Sequence, residues 1–227
     1  MMPTALVFDL DDTLFPEREF VQGGFAAVDR WLQGDHAVFG FEPEARRLFA
    51  EGLRGRIFDE ALRRLGVDGA QTLVPRMVAV YRGHRPQLEL FPDAQWALGH
   101  FRGRCKLGLI TDGYAGTQRN KVAALGLGEG FEAIVFTDDL GRENWKPSPI
   151  PFQGLMETLG CPGSACVYVG DNPAKDFLAP NRLGWRTIQV AREEGEYRHT
   201  ATDSLPADYQ ASRVIQSLRE LEGVFDE

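Results

Sequence analysis

The chain is short of cysteine, of long apolar runs and of positive charge, and each shortage closes off a class of protein. Three cysteines in 227 residues, Cys105, Cys161 and Cys166, are an odd number, and the first lies far along the chain from the other two. No disulfide framework is expected, and a reducing, cytoplasmic setting fits. Cys161 and Cys166 have no second Cys/His pair at zinc spacing, so they read as small buried or half-buried thiols. No stretch approaches the ~20 apolar residues needed to cross a bilayer. Asp9 interrupts the N-terminal apolar run too early for a secretory signal. Lys and Arg number 25 against 33 Asp and Glu, a net charge of -8, which leaves no broad footprint for nucleic acid or anionic membrane. No repeat of about 20 to 50 residues stands out.

What is present is ordinary in bulk, with 43% hydrophobic and 26% charged residues, as in a globular protein. A chain of this length buries one substantial core and has room for a smaller body inserted into it. The informative stretch is LVFDLDDTLF, residues 6–15. The apolar run 5–8 is too short for a helix and ends abruptly in acid, which predicts a buried parallel strand whose C-terminal end delivers Asp9, Asp11 and Asp12 to a loop. Open α/β sheets gather their ligands at that end. Two ionised carboxylates about 4 Å apart repel by roughly 4 kcal/mol at an effective dielectric near 20, a cost that a cation or a retained proton removes. A hard divalent metal is the first expectation.

From residue 17 to about 85 the pattern is helical. FVQGGFAAVDRWL places Phe20, Val21, Phe25, Val28 and Leu32 near helical spacing, and three further amphipathic segments follow, about four helices in all. From Pro92 onward helices and strands alternate. Strands are predicted at 106–110, 133–136, 166–169 and 185–190, and helices from residue 92 and over 118–125, 149–159 and 173–183. A short strand is expected at 207–209, a closing helix over 212–221, and a polar surface loop over 192–206. Such alternation implies a parallel sheet with right-handed crossovers. The fold class is therefore α/β, a Rossmann-like, doubly wound and mostly parallel sheet. Its core domain comprises 1–16 and 86–227, with 17–85 an inserted helical bundle.

Each main strand is followed by a polar loop: DLDDT after the first, TDG after the second, DDLGRENWKPSP after the third and GDNPAKD after the fourth. Taken singly these are good turns and caps, and Asn172-Pro173 alone suits a helix start. Taken together, Asp9-x-Asp11-x-Thr13, Thr111-Asp112-Gly113, Lys146-Pro147 and Gly170-Asp171 with Asp176 resemble the ordered motifs of the haloacid dehalogenase superfamily of phosphohydrolases, subfamily I, whose helical type 1 cap resembles the insertion here. The likeness covers essentially the whole chain.

The resemblance implies an Mg²⁺-dependent phosphomonoester hydrolase acting on a small phosphorylated metabolite through an aspartyl-phosphate. It makes Asp9 the nucleophile and Asp11 the general acid and base, with neighbouring negative charge helping Asp11 retain a proton. Thr111, Asp112, Gly113 and Lys146 would bind phosphate, with Thr111 and Lys146 also counted as catalytic. Mg²⁺ would be held by the Asp9 carboxylate, the Asp11 backbone carbonyl and the Asp171 carboxylate, with Asp176 and Asn172 one layer behind. A 2-haloacid dehalogenase, a phosphomutase and a catalytically idle binding module are the alternatives; the second aspartate of the first motif and the complete acidic fourth motif favour the phosphatase. The cap is expected to select the substrate. Neither nucleic acid nor membrane is an expected partner, and the oligomeric state is left between monomer and weak dimer.

Overall fold

A computed structural model describes residues 1–192, 195 and 205–226. The chain divides into two compact units, Arg18–Leu88 and the remainder, Met1–Glu17 with Glu89–Glu227. The first is built from four helices, α1 (Glu17–His36), α2 (Phe41–Ala50), α3 (Ile57–Arg64) and α4 (Ala70–Gly83). The helical spacing of Phe25, Val28 and Leu32 puts one face of α1 against Phe41, Leu48 and Leu62, all buried. Asp29 is buried on that face. Its Oδ1 accepts from the amides of Phe41 and Glu42, at 3.0 and 3.1 Å, so a side chain of α1 satisfies the open N-terminus of α2. Gly24 allows α1 and α4 to close up: a Cβ there would lie 2.4 Å from the Tyr81 ring.

The second unit is a six-stranded, all-parallel sheet of β1 (Ala5–Phe8), β2 (Lys106–Thr111), β3 (Ala133–Phe136), β4 (Cys166–Gly170), β5 (Arg186–Val190) and β6 (Arg213–Ile215). Their order is β3-β2-β1-β4-β5-β6. Every residue of β1 and β4 is buried, which is why these strands read as unbroken apolar runs rather than alternations. Between them run α5 (Pro92–Phe101), α6 (Ala115–Ala124), α7 (Ile150–Leu159) and α8 (Leu178–Arg182), and α9 (Leu221–Asp226) closes the chain. Phe152 and Leu155 of α7 pack on Val7, Ile110 and Tyr168, each large side chain contributing roughly 1.5–3 kcal/mol by its burial.

The chain leaves and re-enters the sheet unit side by side. Phe91 N donates to Leu14 O at 2.9 Å, and Arg192 Nη2 donates to Thr13 O at 2.6 Å. Arg192 Nη1 grips both oxygens of Asp93, and its guanidinium lies 4.0 Å from the Phe91 ring centroid. Asp93 also accepts from Ser217 Oγ and Leu218 N.

Two expectations near the C-terminus are corrected. Residues 207–209 form a short 3-10 turn, and the last strand is β6, inside the stretch expected to be helical. Val214 and Ile215 are β-branched, and the ladder to β5, continued by Ala191 N to Ile215 O at 2.8 Å, prevails over helical spacing. The helical turn starts only at Leu218, where Ser217 and Glu220 form a capping box. The helix expected over 173–183 shrinks to α8, because Asn172 holds the amides of Ala174 and Asp176 in a turn of its own. Most of the loop expected at 192–206 lies outside the described residues. Among those described, the three cysteines are free thiols, and no helix is long and apolar enough to cross a membrane.

Candidate active site

In this strand order the connections reverse direction between β1 and β4, and the crevice beyond the carboxyl ends of such a pair is where doubly wound sheets bind. Asp9 follows β1 and Asp171 follows β4. The paired register of Phe8 with Val169, extended by Asp9 N to Val169 O at 2.8 Å, brings the two aspartates to the same lip of the sheet. A cavity of about 370 Å³ opens there, lined by Asp9, Asp11, Asp112, Gly113, Lys146 and Asp171 together with Asp12, Glu17, Trp145 and Lys175.

Lys146 lies at the centre, its side chain fully buried. Its Nζ donates to Asp9 Oδ1 at 2.5 Å, Asp176 Oδ1 at 2.7 Å and Tyr168 Oη at 3.1 Å. Burial works against its charge, but Asp176 and Asp9 outweigh that and raise its pKa well above the ordinary lysine value. Asp176 is committed within the protein, since its Oδ2 accepts from Asn172 N at 2.9 Å. Gly170 makes room for that carboxylate: a Cβ would fall 2.5 Å from Asp176 Oδ2. Burial lifts the Asp9 carboxyl to about 6, with Lys146 pulling it down and Asp176 pushing it up.

Asp171 is different. It is 6% exposed, and its carboxylate has no hydrogen-bond partner among the described residues. Burial, then Asp176 and Asp9, raise its pKa well above the carboxylate range. Oxygens of Asp9, Asp171 and Asp176 lie within 4.8 Å of one another. A buried unpaired carboxylate beside a second one is a costly arrangement unless a cation joins it, and an all-oxygen donor set suits a hard divalent ion. The residues therefore fit Mg²⁺, with Asp9 and Asp171 offering free oxygens and Asp176 turned toward Lys146 and the Asn172 amide.

The other expected residues sort by position. Asp112 Oδ1 accepts from Thr137 Oγ1 at 2.8 Å and Lys146 N at 3.1 Å, tying the loop after β2 to the loop after β3. Gly113 takes φ +119, which suits glycine. Thr111, Asn172 and Asp176 stand behind the cavity wall, and Thr111 Oγ1 accepts from Gln118 Nε2 at 2.6 Å. Asp12, at φ +51, accepts from Glu17 N at 2.9 Å and so caps α1.

Asp11 has two firm partners. Lys121 Nζ donates to Oδ1 at 2.6 Å and Gln118 Nε2 to Oδ2 at 2.8 Å. Besides the negative neighbours noted in its sequence, both oxygens of Asp11 accept from donors, one of them cationic. Burial again opposes the lysine's charge, but Asp11 and Glu17 raise its pKa.

Sequence reasoning missed Lys121, Gln118, Lys175, Trp145 and the part played by Glu17. One signal was available. The chain has four lysines against 21 arginines, and Lys121, Lys146 and Lys175 all stand at or just behind this cavity.

A doubly wound α/β protein with an acid-lysine cluster at its switch point is the class that fold and site define. The model of the haloacid dehalogenase-like hydrolases matches residues 6–190, and the chain belongs to that family. It is 30% identical to glyceraldehyde 3-phosphate phosphatase of Methanopyrus kandleri, over 97% of this chain and 99% of that protein. Phosphoserine phosphatase of Thermus thermophilus is 31% identical over 66% of this chain and 59% of its own length. Among solved structures, 2-haloacid dehalogenase from Pseudomonas syringae pv. Tomato superposes with a TM-score of 0.68 at 29% identity, covering 99% of both chains.

Proposed function

We propose that this enzyme is an Mg²⁺-dependent phosphomonoester hydrolase of the cytoplasm that cleaves a small phosphorylated metabolite through an aspartyl-phosphate. One observation carries the reading: Lys146 bridges Asp9 and Asp176 while Asp171, buried beside them, has no partner among the described residues. Phosphoryl transfer asks chiefly for positioned charge. When bound, Mg²⁺ would be held by Asp9, Asp171 and the Asp11 carbonyl and would neutralise charge on the phosphoryl oxygens.

The protein's own groups divide the remaining tasks. Asp9 presents Oδ2, which has no hydrogen-bond partner among the described residues, to phosphorus. Its other oxygen stays on Lys146, which fixes the nucleophile and adds positive charge beside the phosphate. The Gly113 backbone, which lines the cavity, offers a donor to phosphoryl oxygens, and Thr111, behind the wall, supports the site through Gln118. Asp11 gives a proton to the departing alcohol and takes one from the water that releases phosphate. The helical unit 18–88 governs which ester is accepted, as the likeness to a type 1 cap implies. The named relatives act on glyceraldehyde 3-phosphate and phosphoserine, which points to small alkyl phosphates here.

The dehalogenase name of the 29%-identical structure supports a second reading, in which Asp9 attacks carbon without a metal. One experiment separates the two. Purified enzyme is given p-nitrophenyl phosphate, glyceraldehyde 3-phosphate and phosphoserine with Mg²⁺, and 2-chloropropionate in parallel. Phosphate release that stops on chelation and in Asp9→Asn is the expected outcome; chloride release without phosphate release would reverse the choice.

A further inference from the structure

Helix α6 buries Gln118, Lys121 and Val122, spaced i, i+3 and i+4. That is the face on which a helix ordinarily places apolar residues. Gln118 is 1% exposed and Lys121 3%, and burying a lysine and an amide at core positions is unfavourable unless both are paired. Both are paired, and with the same carboxylate, more than a hundred residues away in sequence.

Asp11 lines the cavity, whereas Gln118 and Lys121 do not. Lys121 Nζ also lies 3.7 Å from Glu17 Oε1 and 5.8 Å from the Phe15 ring centroid, so aromatic and acidic groups surround it. Gln118 Nε2 is shared between Asp11 Oδ2 and Thr111 Oγ1. Gly113 leaves room for this side chain, since a Cβ there would press on its amide at 3.3 Å.

We propose that Lys121 and Gln118 are positioning residues for proton transfer: they clamp the two oxygens of Asp11 and thereby aim its carboxyl at the phosphoryl group. This inference rests on the phosphatase reading above. In the first half-reaction an oxygen of Asp9 bonds to phosphorus, the ester P–O bond breaks, and the Asp11 proton passes to the departing oxygen. In the second, water oxygen bonds to phosphorus, its proton passes to Asp11, and the Asp9–phosphorus bond breaks to release inorganic phosphate. One carboxyl serves both halves at nearly one place, so a loosened clamp impairs both. The first half is spared only when the leaving group needs no proton.

Two esters and two kinetic constants distinguish this from a structural role. With p-nitrophenyl phosphate, departure needs no proton, so kcat/KM, which reports events up to transfer onto Asp9, should stay within about threefold of wild type in Lys121→Met. With glycerol 2-phosphate the same variant should lose about a hundredfold in kcat/KM. Its kcat on the aryl ester should fall, with a burst of nitrophenolate, because water attack becomes the slow step. Lys121→Gln, which restores a donor, should recover part of the loss, and Gln118→Leu should show the same pattern to a smaller degree. Equal losses in kcat/KM on both esters with no burst would overturn the inference while leaving the phosphatase reading intact. Wild type releasing phosphate from neither ester would instead remove that reading, and this inference with it. If circular dichroism finds Lys121→Met unfolded, Gln118→Leu decides by the same ratio.

Discussion

The two units of this chain spend their charge in opposite ways. The helical unit, Arg18–Leu88, carries eleven arginines, no lysine and nine carboxylates, whereas the sheet unit carries all four lysines and a surplus of ten acids. In the helical unit the ion pairs lie on the surface, as in Arg47 with Glu44 and Arg63 with Glu60, where the arginines keep 53% and 70% of their side chains exposed. Its interior is aromatic, with Phe25, Phe41, Phe58 and Tyr81 in edge contact. In the sheet unit two of the four lysines, Lys121 and Lys146, go inward, each against carboxylates, while Lys106 stays exposed. Surface pairs contribute little and tolerate change; buried ones must be completed and concentrate reactivity. Where a fold inters a lysine among carboxylates, chemistry is the first explanation to test.

The sharpest way to break this contrast is at Asp9. Asp9→Asn keeps the size of the side chain but removes the attacking oxygen, and turnover should fall by ~10³-fold or more with the melting curve little changed. Retained turnover would move the nucleophile elsewhere and strip the buried cluster of its meaning. Next is Lys146→Met, which leaves Asp9 and Asp176 buried without their shared cation. A loss of about 3–5 kcal/mol in urea unfolding is expected, and an unchanged midpoint would show that the pair is compensated by other means.

How much of this was legible beforehand follows the same division. Strands β1, β2 and β4 were readable because strands buried on both faces must be continuously apolar, and the acid after each marked where the sheet collects its ligands. Asp9 was marked by its place at the end of the first apolar run, whereas the roles expected of Lys146 and Asp171 came from likeness to ordered motifs. β6 was missed because three residues give too little pattern to oppose the helical spacing of 212–221. Gln118 and Lys121 were missed for a subtler reason. On a helix they look like solvent-facing residues, and only the packing of α6, which turns them toward Asp11, reveals otherwise. The scarcity of lysine was countable from the start.

A middle-sized effect sharpens the contrast from the helical side. Gly24→Ala would set a methyl 2.4 Å from the Tyr81 ring, whereas the same change at Gly34, also in α1, meets nothing within 4 Å. Overpacking should cost about 1–3 kcal/mol at the first site, and removing a helical glycine should add up to ~1 kcal/mol at the second. Thermal melts of the two variants should therefore move in opposite directions. Movement in one direction would mean that α1 and α4 are not closely packed at that level.

The smallest effect is the most telling about surface charge. Glu60 accepts from Arg63 and Arg64, and these bonds hold its carboxyl at about 2, below the usual 4.5. Because the folded-state pKa is depressed, whatever these pairs add to stability is present above about pH 4.5 and is lost as the pH falls toward 2. Solvent screening makes that contribution small, so at pH 7 Glu60→Gln should lower the melting midpoint only slightly, less than any variant above but by more than the scatter between replicate melts. The sign is still readable. The difference between wild type and Glu60→Gln should narrow as the buffer is taken from pH 5 to pH 3, since the glutamate of the unfolded chain then takes up a proton that the folded state still refuses. A gap that widens on acidification would mean that the arginine cluster of α3 is held by something other than Glu60.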